Sequence, residues 1–244
     1  MLGLPDGMTA CLFDMDGVVT KTALVHAAAW KEMFDDFLRQ RAEQTGGEFA
    51  PFDQHRDYDD YVDGRPRLDG TRAFLASRSV DLPEGHPDDP PGTATVWGLS
   101  NRKNALVLEK LARDGVEVYD GSVRYIKAAR AEGLRTAIVS SSANTVEVLR
   151  AARIEDLFDT RVDGVVAAQQ GLKGKPAPDT FLAAARALGA APAQAVVYED
   201  AQSGVAAGRA GGFGFVVGVD RVGQAAELRQ HGADIVVTDL ADLL

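Results

Sequence analysis

The chain has 244 residues, 45% of them hydrophobic, enough for a sizeable core in one large domain or two smaller ones. A formal net charge of −10 argues against nucleic acid or an anionic membrane as partner, and no apolar run approaches the roughly 18 residues that cross a bilayer. The single cysteine, Cys11, excludes an internal disulfide; a core thiol and the lack of a signal-peptide pattern set the expectation of a cytoplasmic protein.

Residues 9–13 read as a buried strand that runs straight into two carboxylates, Asp14 and Asp16, with Gly17 to turn the chain. A helix is expected over 22–44, a polar irregular stretch over 45–64, a helix over 66–79, and a proline-rich loop over 82–91. The next helix, 99–113, has Ser100 or Asn101 near its start and Gly115 at its end. From there the rhythm is regular: helix 122–131, strand 134–139, helix 145–152, strand 162–166, helix 176–188, strand 195–198, helix 203–210, strand 213–219, helix 225–231 and strand 235–237. Strands alternating with helices of this length mean βαβ units and a parallel sheet. Residues 24–114 break the rhythm with helices and loops, which makes them an insertion.

Three strand ends carry chemistry. In open α/β sheets, ligands bind outside the carboxyl ends of the strands. Two acids held close there are costly unless a cation or a reaction uses them. The Asp-x-Asp pattern alone is weak, since Asp57-Tyr58-Asp59 has it within a solvated polar stretch. The strand before and the glycine after set Asp14 and Asp16 apart. Strand 134–139 ends in Ser140-Ser141-Ser142, which suits either an anion site or a plain helix cap. Strand 195–198 ends in Glu199-Asp200 and repeats the logic of Asp14. Between them, Gly171-Leu172-Lys173-Gly174-Lys175-Pro176 offers two lysines that could neutralise a transferring phosphoryl group.

Taken in order, Asp14-Met15-Asp16-Gly17-Val18, Ser140, Lys175-Pro176-Ala177-Pro178-Asp179 and Glu199-Asp200 resemble the four motifs of the haloacid dehalogenase-like phosphotransferase superfamily. The resemblance implies a Rossmann-like three-layer α/β core with a parallel sheet, built from residues 1–23 and 115–244, plus an inserted helical cap, 24–114. It implies that Asp14 is the nucleophile and forms an aspartyl phosphate, splitting one hard transfer into two easier ones. Asp16 would be the general acid/base, protonating the leaving oxygen and later deprotonating the incoming one. Ser140 and Lys175 complete the catalytic set, and Lys173 stays solvated. Mg²⁺ would be held by Asp14, the backbone carbonyl of Asp16, Glu199 and Asp200.

Thr20, Thr22, His26, Trp30 and Lys31 further resemble the β-phosphoglucomutase branch. There Thr22 and His26 would tie cap closure to acid/base activation, while Trp30 is core packing. Arg67, or its neighbour Arg65, would hold the second phosphate through its bidentate fork. Ser140, Ser141, Ser142, Asn144 and Lys175 would contact phosphate or substrate. Three positions depart from the branch: Lys21 replaces an aspartate, Ala143 a lysine, and Asn101 a cap lysine, although Arg102-Lys103-Asn104 continue that pattern. The loops at 45–64 and 82–97 are also longer than usual. The expectation is a monomeric Mg²⁺-dependent phosphotransferase converting β-glucose 1-phosphate to glucose 6-phosphate. A phosphatase of sugar or metabolite phosphates is the alternative, and a non-catalytic binding module a minor one.

Overall fold

The computed structural model describes residues 2–244. The chain divides into two compact units: one contains the chain up to Thr22 together with Val116–Leu244, and the other is Ala23–Gly115. Strand β1 is Ala10–Asp14. Helices α1 (Ala23–Thr45), α2 (Arg67–Ser77) and α3 (Val96–Asp114) follow. Then come α4 (Asp120–Ala131), β2 (Arg135–Val139), α5 (Thr145–Ala151), β3 (Thr160–Val162), α6 (Gly164–Gln170) and α7 (Asp179–Ala187). The chain ends with β4 (Ala195–Glu199), α8 (Gln202–Ala210), β5 (Phe215–Val219), α9 (Ala225–Gln230) and β6 (Ile235–Val237).

Among the described residues the six strands form one parallel sheet of order β3-β2-β1-β4-β5-β6. That is the doubly wound Rossmann-like order, and its switch point lies between β1 and β4. Every residue of β1 is buried, as a central parallel strand requires. Its side chains alternate between the two faces of the sheet. Ala10 and Leu12 join the core made with Phe181 of α7 and Val205 of α8. Cys11 and Phe13 point the other way: Phe13 stacks on Tyr198 at 4.4 Å and meets Tyr125 of α4 edge-on. Cys11 Sγ lies 3.5 Å from the Tyr198 hydroxyl, and burial pushes its thiol pKa up to about 12, so it is inert packing rather than a nucleophile.

Two sequence expectations fail in this unit. The strand expected over 162–166 stops at Val162, because the Asp163 side chain accepts from the backbone N–H of Val165 and Val166 and starts α6 instead. The helix expected from Pro176 begins only at Asp179, so Lys175 and Pro176 belong to the loop before α7.

The helical unit packs around aromatic rings. Phe34 lies 5.3 Å from Trp30, 5.4 Å from Phe52 and 4.0 Å from Phe74. Its long loops are pinned rather than loose. Phe52 plugs the core while its N–H donates to Asp35 at 2.7 Å and its carbonyl accepts from Lys31 at 2.9 Å. Arg78 pairs with buried Asp57 at 2.5 Å, and a short π-helical turn, Tyr58–Val62, interrupts the stretch expected to be irregular. Helix α3 starts at Val96, three residues before expectation, because the Thr95 hydroxyl accepts from Gly98 N–H at 2.9 Å. Ser100 is no cap: it is buried within the helix, 2.9 Å from the Thr71 hydroxyl. Among the described residues no helix is long and apolar enough to cross a membrane.

Candidate active site

The register of the sheet brings the motif residues level. Asp14 pairs with Val139, so Ser140 begins the loop beside it, and Phe13 pairs with Tyr198, so Glu199 ends β4 on the other side. The loop before α7 delivers Lys175 to the same place. Its buried ammonium donates to Asp14 Oδ1 and, at 2.5 Å, to Glu199 Oε1. Glu199 Oε2 accepts from the Ala201 N–H at 2.8 Å, which fixes the carboxylate. Lys173 is exposed; its backbone N–H donates to the Asp179 carboxylate at 3.1 Å and helps shape the loop.

Asp14, Glu199 and Asp200 are all buried, and each offers a carboxylate oxygen within 4.8 Å of the others. Burial, above all, pushes the Asp14 pKa well above the usual carboxylate range; Lys175 pulls it down, and Glu199 and Asp16 push it further up. Burial also works against the Lys175 ammonium, but Asp14 and Glu199 outweigh it by charge and hydrogen bonding and hold its pKa above the ordinary lysine value. One ammonium therefore stands among three buried carboxylates. An all-oxygen donor set suits a hard cation such as Mg²⁺, and a divalent charge there would offset the remaining repulsion. Glycine is needed beside the cluster. A Cβ on Gly17, whose φ is +90°, would lie 1.7 Å from Asp200 Oδ2. The residues present fit the metal.

Asp16 follows on the turn after β1 and is half-buried. The Thr22 hydroxyl donates to its Oδ1 and accepts from Thr20 at 2.6 Å. The Ser140 hydroxyl lies 3.4 Å from its Oδ2. Asp16 is thus oriented by hydroxyls, whereas Asp14 is oriented by an ammonium. Ser140 Oγ also accepts from Ser142 N–H at 3.0 Å, and Ser142 Oγ from Asn144 N–H at 3.1 Å. The serine run therefore builds a tight turn into α5, with Ser141 inside it.

His26 and Arg67 belong to the helical unit. His26 Nδ1 lies 2.7 Å from the ammonium of Lys103, which is buried and sits 4.8 Å from the Trp30 ring centroid. Trp30 is core, as expected. Within the run Arg102-Lys103-Asn104, Lys103 is the buried residue. Asn101 instead donates to the carbonyls of Pro87 and Asp89, both at 2.9 Å, and holds the proline-rich loop. Arg67 opens α2. Its Nε is buried with no hydrogen-bond partner, and burial lowers its pKa from the usual arginine value. Arg65 spends a guanidinium N–H on the Asp60 carbonyl at 3.3 Å. Lys21 pairs with Glu117 at 2.8 Å, largely in solvent.

A family profile for haloacid dehalogenase-like hydrolases matches residues 8–212, and the chain belongs to that family. Within it the chain falls in the β-phosphoglucomutase-like branch and is an enzyme of that kind. It is 56% identical over 247 aligned positions to a β-phosphoglucomutase of Mycobacterium bovis, covering 100% of this chain and 94% of that protein. It is 34% identical to a β-phosphoglucomutase of Bacillus subtilis, over 97% of this chain and 92% of the relative. The crystal structure of a β-phosphoglucomutase from Clostridium difficile shares the fold with a TM-score of 0.74 at 23% identity, covering 97% of this chain and 93% of that one.

Proposed function

We propose that this chain is an Mg²⁺-dependent phosphotransferase that converts β-glucose 1-phosphate to glucose 6-phosphate through a phosphoryl group carried on Asp14. The observation that carries the reading is the convergence of Asp14, Lys175, Glu199 and Asp200 at the switch point of the sheet, with Asp16 one residue beyond Met15. An Asp14 carboxylate oxygen attacks phosphorus as the bond to the leaving sugar oxygen breaks. Asp16 gives that oxygen its proton. In the second half a sugar hydroxyl loses its proton to Asp16 and attacks the same phosphorus, and Asp14 is regenerated. Lys175 and Ser140 stabilise the charge on the transferring group. Asp14, Glu199, Asp200 and the Asp16 carbonyl would hold Mg²⁺, which would supply positive charge for an anionic phosphate near Asp14.

Removal of metal should therefore stop turnover, and added Mg²⁺ should restore it. Ca²⁺ should restore little, since its larger and looser coordination relaxes in-line geometry. Full activity in excess chelator excludes the metal role.

A mutase must also hold its bisphosphate intermediate by the phosphate that is not reacting. Arg67 is the candidate grip, because its buried Nε has no partner while Arg65 is engaged. Ser142 and Asn144 would contact substrate, and His26 with Thr22 would couple substrate binding to Asp16. A desolvated arginine–phosphate contact is worth on the order of 2–5 kcal/mol. Arg67→Ala should suppress isomerisation accordingly and leave slow hydrolysis of a small phosphate ester nearly unchanged. The assay supplies β-glucose 1-phosphate, catalytic glucose 1,6-bisphosphate and Mg²⁺, and follows glucose 6-phosphate and inorganic phosphate separately. Phosphate release without isomerisation in the unaltered chain makes it a phosphatase. Equal loss of both activities in the variant assigns Arg67 to structure or to the common chemical step.

A further inference from the structure

We propose that Arg221 is a positioning residue for Asp16, a clamp on the turn that carries the acid/base carboxylate. The inference rests on the reading of Asp16 as acid/base. Arg221 lies in the loop after β5, far along the chain, yet its Nε donates to the Gly17 carbonyl at 2.8 Å and its Nη2 reaches the Val18 carbonyl at 3.4 Å. Its Nη1 donates to the Thr238 carbonyl at 2.6 Å, just past β6. The guanidinium carbon lies over Tyr119, 3.5 Å from the ring centroid, and the side chain is 13% exposed. The carboxylate it pairs with, Asp239, is 3.8 Å away, beyond hydrogen-bond range. A mostly desolvated cation is thus devoted to backbone carbonyls, two of them immediately after Asp16.

The turn itself is closed from within. Gly17 N–H donates to Thr20 O at 2.8 Å, and Val19 and Thr20 N–H donate to Met15 O at 3.0 and 2.9 Å. The carbonyls of Gly17, Val18 and Val19 are taken from outside: by Arg221, by the Ser122 hydroxyl at 2.6 Å to Val18, and by the Tyr119 N–H at 3.0 Å to Val19. Asp14 needs none of this, since it sits within β1 and is held by Lys175. The two carboxylates therefore depend on different supports. Loss of Arg221 should misplace Asp16 and spare Asp14. A planar fork can reach diverging carbonyls while stacking on a ring, whereas an ammonium cannot.

The test separates steps that need a proton donor from one that does not. Arg221→Met and Arg221→Lys should each lower kcat on β-glucose 1-phosphate by about 100-fold, the scale expected for a small misplacement of a catalytic group. KM should stay within about threefold, since binding groups are untouched. At saturating Mg²⁺, transfer from acetyl phosphate onto Asp14, read as a phosphoryl gain in intact-protein mass, should keep its rate within about threefold, because acetate leaves without protonation. Equal losses with both donors, or no loss with either, overturn the inference. If the unaltered chain takes no phosphoryl group, the aspartyl-phosphate reading fails and the inference falls with it. If the unaltered chain does, equal losses in the variants sink the inference alone.

Discussion

Asp14→Asn should abolish turnover, by at least about a thousandfold, while leaving the fold intact. The amide keeps the volume of the side chain in a buried strand end but cannot serve as the nucleophile. Lys175 retains Glu199 as its partner, and the replacement also removes a charge that repels Glu199 and Asp16, so stability should change little. Circular dichroism should be unaltered, and intact-protein mass should show no phosphoryl gain from acetyl phosphate. Substantial activity beyond what deamidation regenerates would remove Asp14 from the mechanism.

Lys175→Met should cost both activity and stability. The ammonium is almost fully buried, and it bonds two carboxylates that face one another. Methionine fills similar space and leaves Asp14 and Glu199 in a low-dielectric site with no counter-charge. Breaking a buried ion pair by removing one partner costs about 3–5 kcal/mol. For a chain of this size the midpoint of thermal unfolding should fall on the order of 10 °C. The sign of the pH effect follows from the same groups. With the cation gone, Asp14, already pushed up by burial, binds a proton more readily in the folded than in the unfolded chain. The deficit should therefore shrink as pH falls into the range where Asp14 protonates, and grow as pH rises. Millimolar Mg²⁺ should recover part of the lost stability but not the activity. A variant as stable as the parent across that range would show that Lys175 does not hold the cluster together.

Much of this was legible in the sequence because the chemistry sits at strand ends. The apolar run into Asp14, the run into Ser140 and the run into Glu199 each mark both a strand and a candidate site residue. The parallel sheet puts those ends on one edge. The misses share a cause, in that local signals were read without their tertiary partners. Val165 and Val166 suit a strand, but the Asp163 cap starts a helix there. Lys103, which the run Arg102-Lys103-Asn104 offers without distinguishing it from its neighbours, carries a further signal. It falls on one helical stripe with Leu99, Leu106 and Val107, all buried, and a lysine on an apolar stripe signals a buried charge. The role of Arg221 was not legible, since the Gly17 and Val18 carbonyls it reaches lie about two hundred residues away in the chain and carry no residue-type signature.

The placement of β1 also shapes how the chain must assemble. The strand carrying Asp14 finds its partners only in Arg135–Val139 and Ala195–Glu199, on the far side of the whole helical unit. A chain emerging from the ribosome releases that unit complete while the five residues of β1, made before it, still lack their strand partners. Pairings this remote make folding slow and leave strand edges exposed in the interim. The central strand of the sheet, first to be made, is then among the last to be secured. Asp14 is seated only when residues from both sides of the helical unit meet in the sheet.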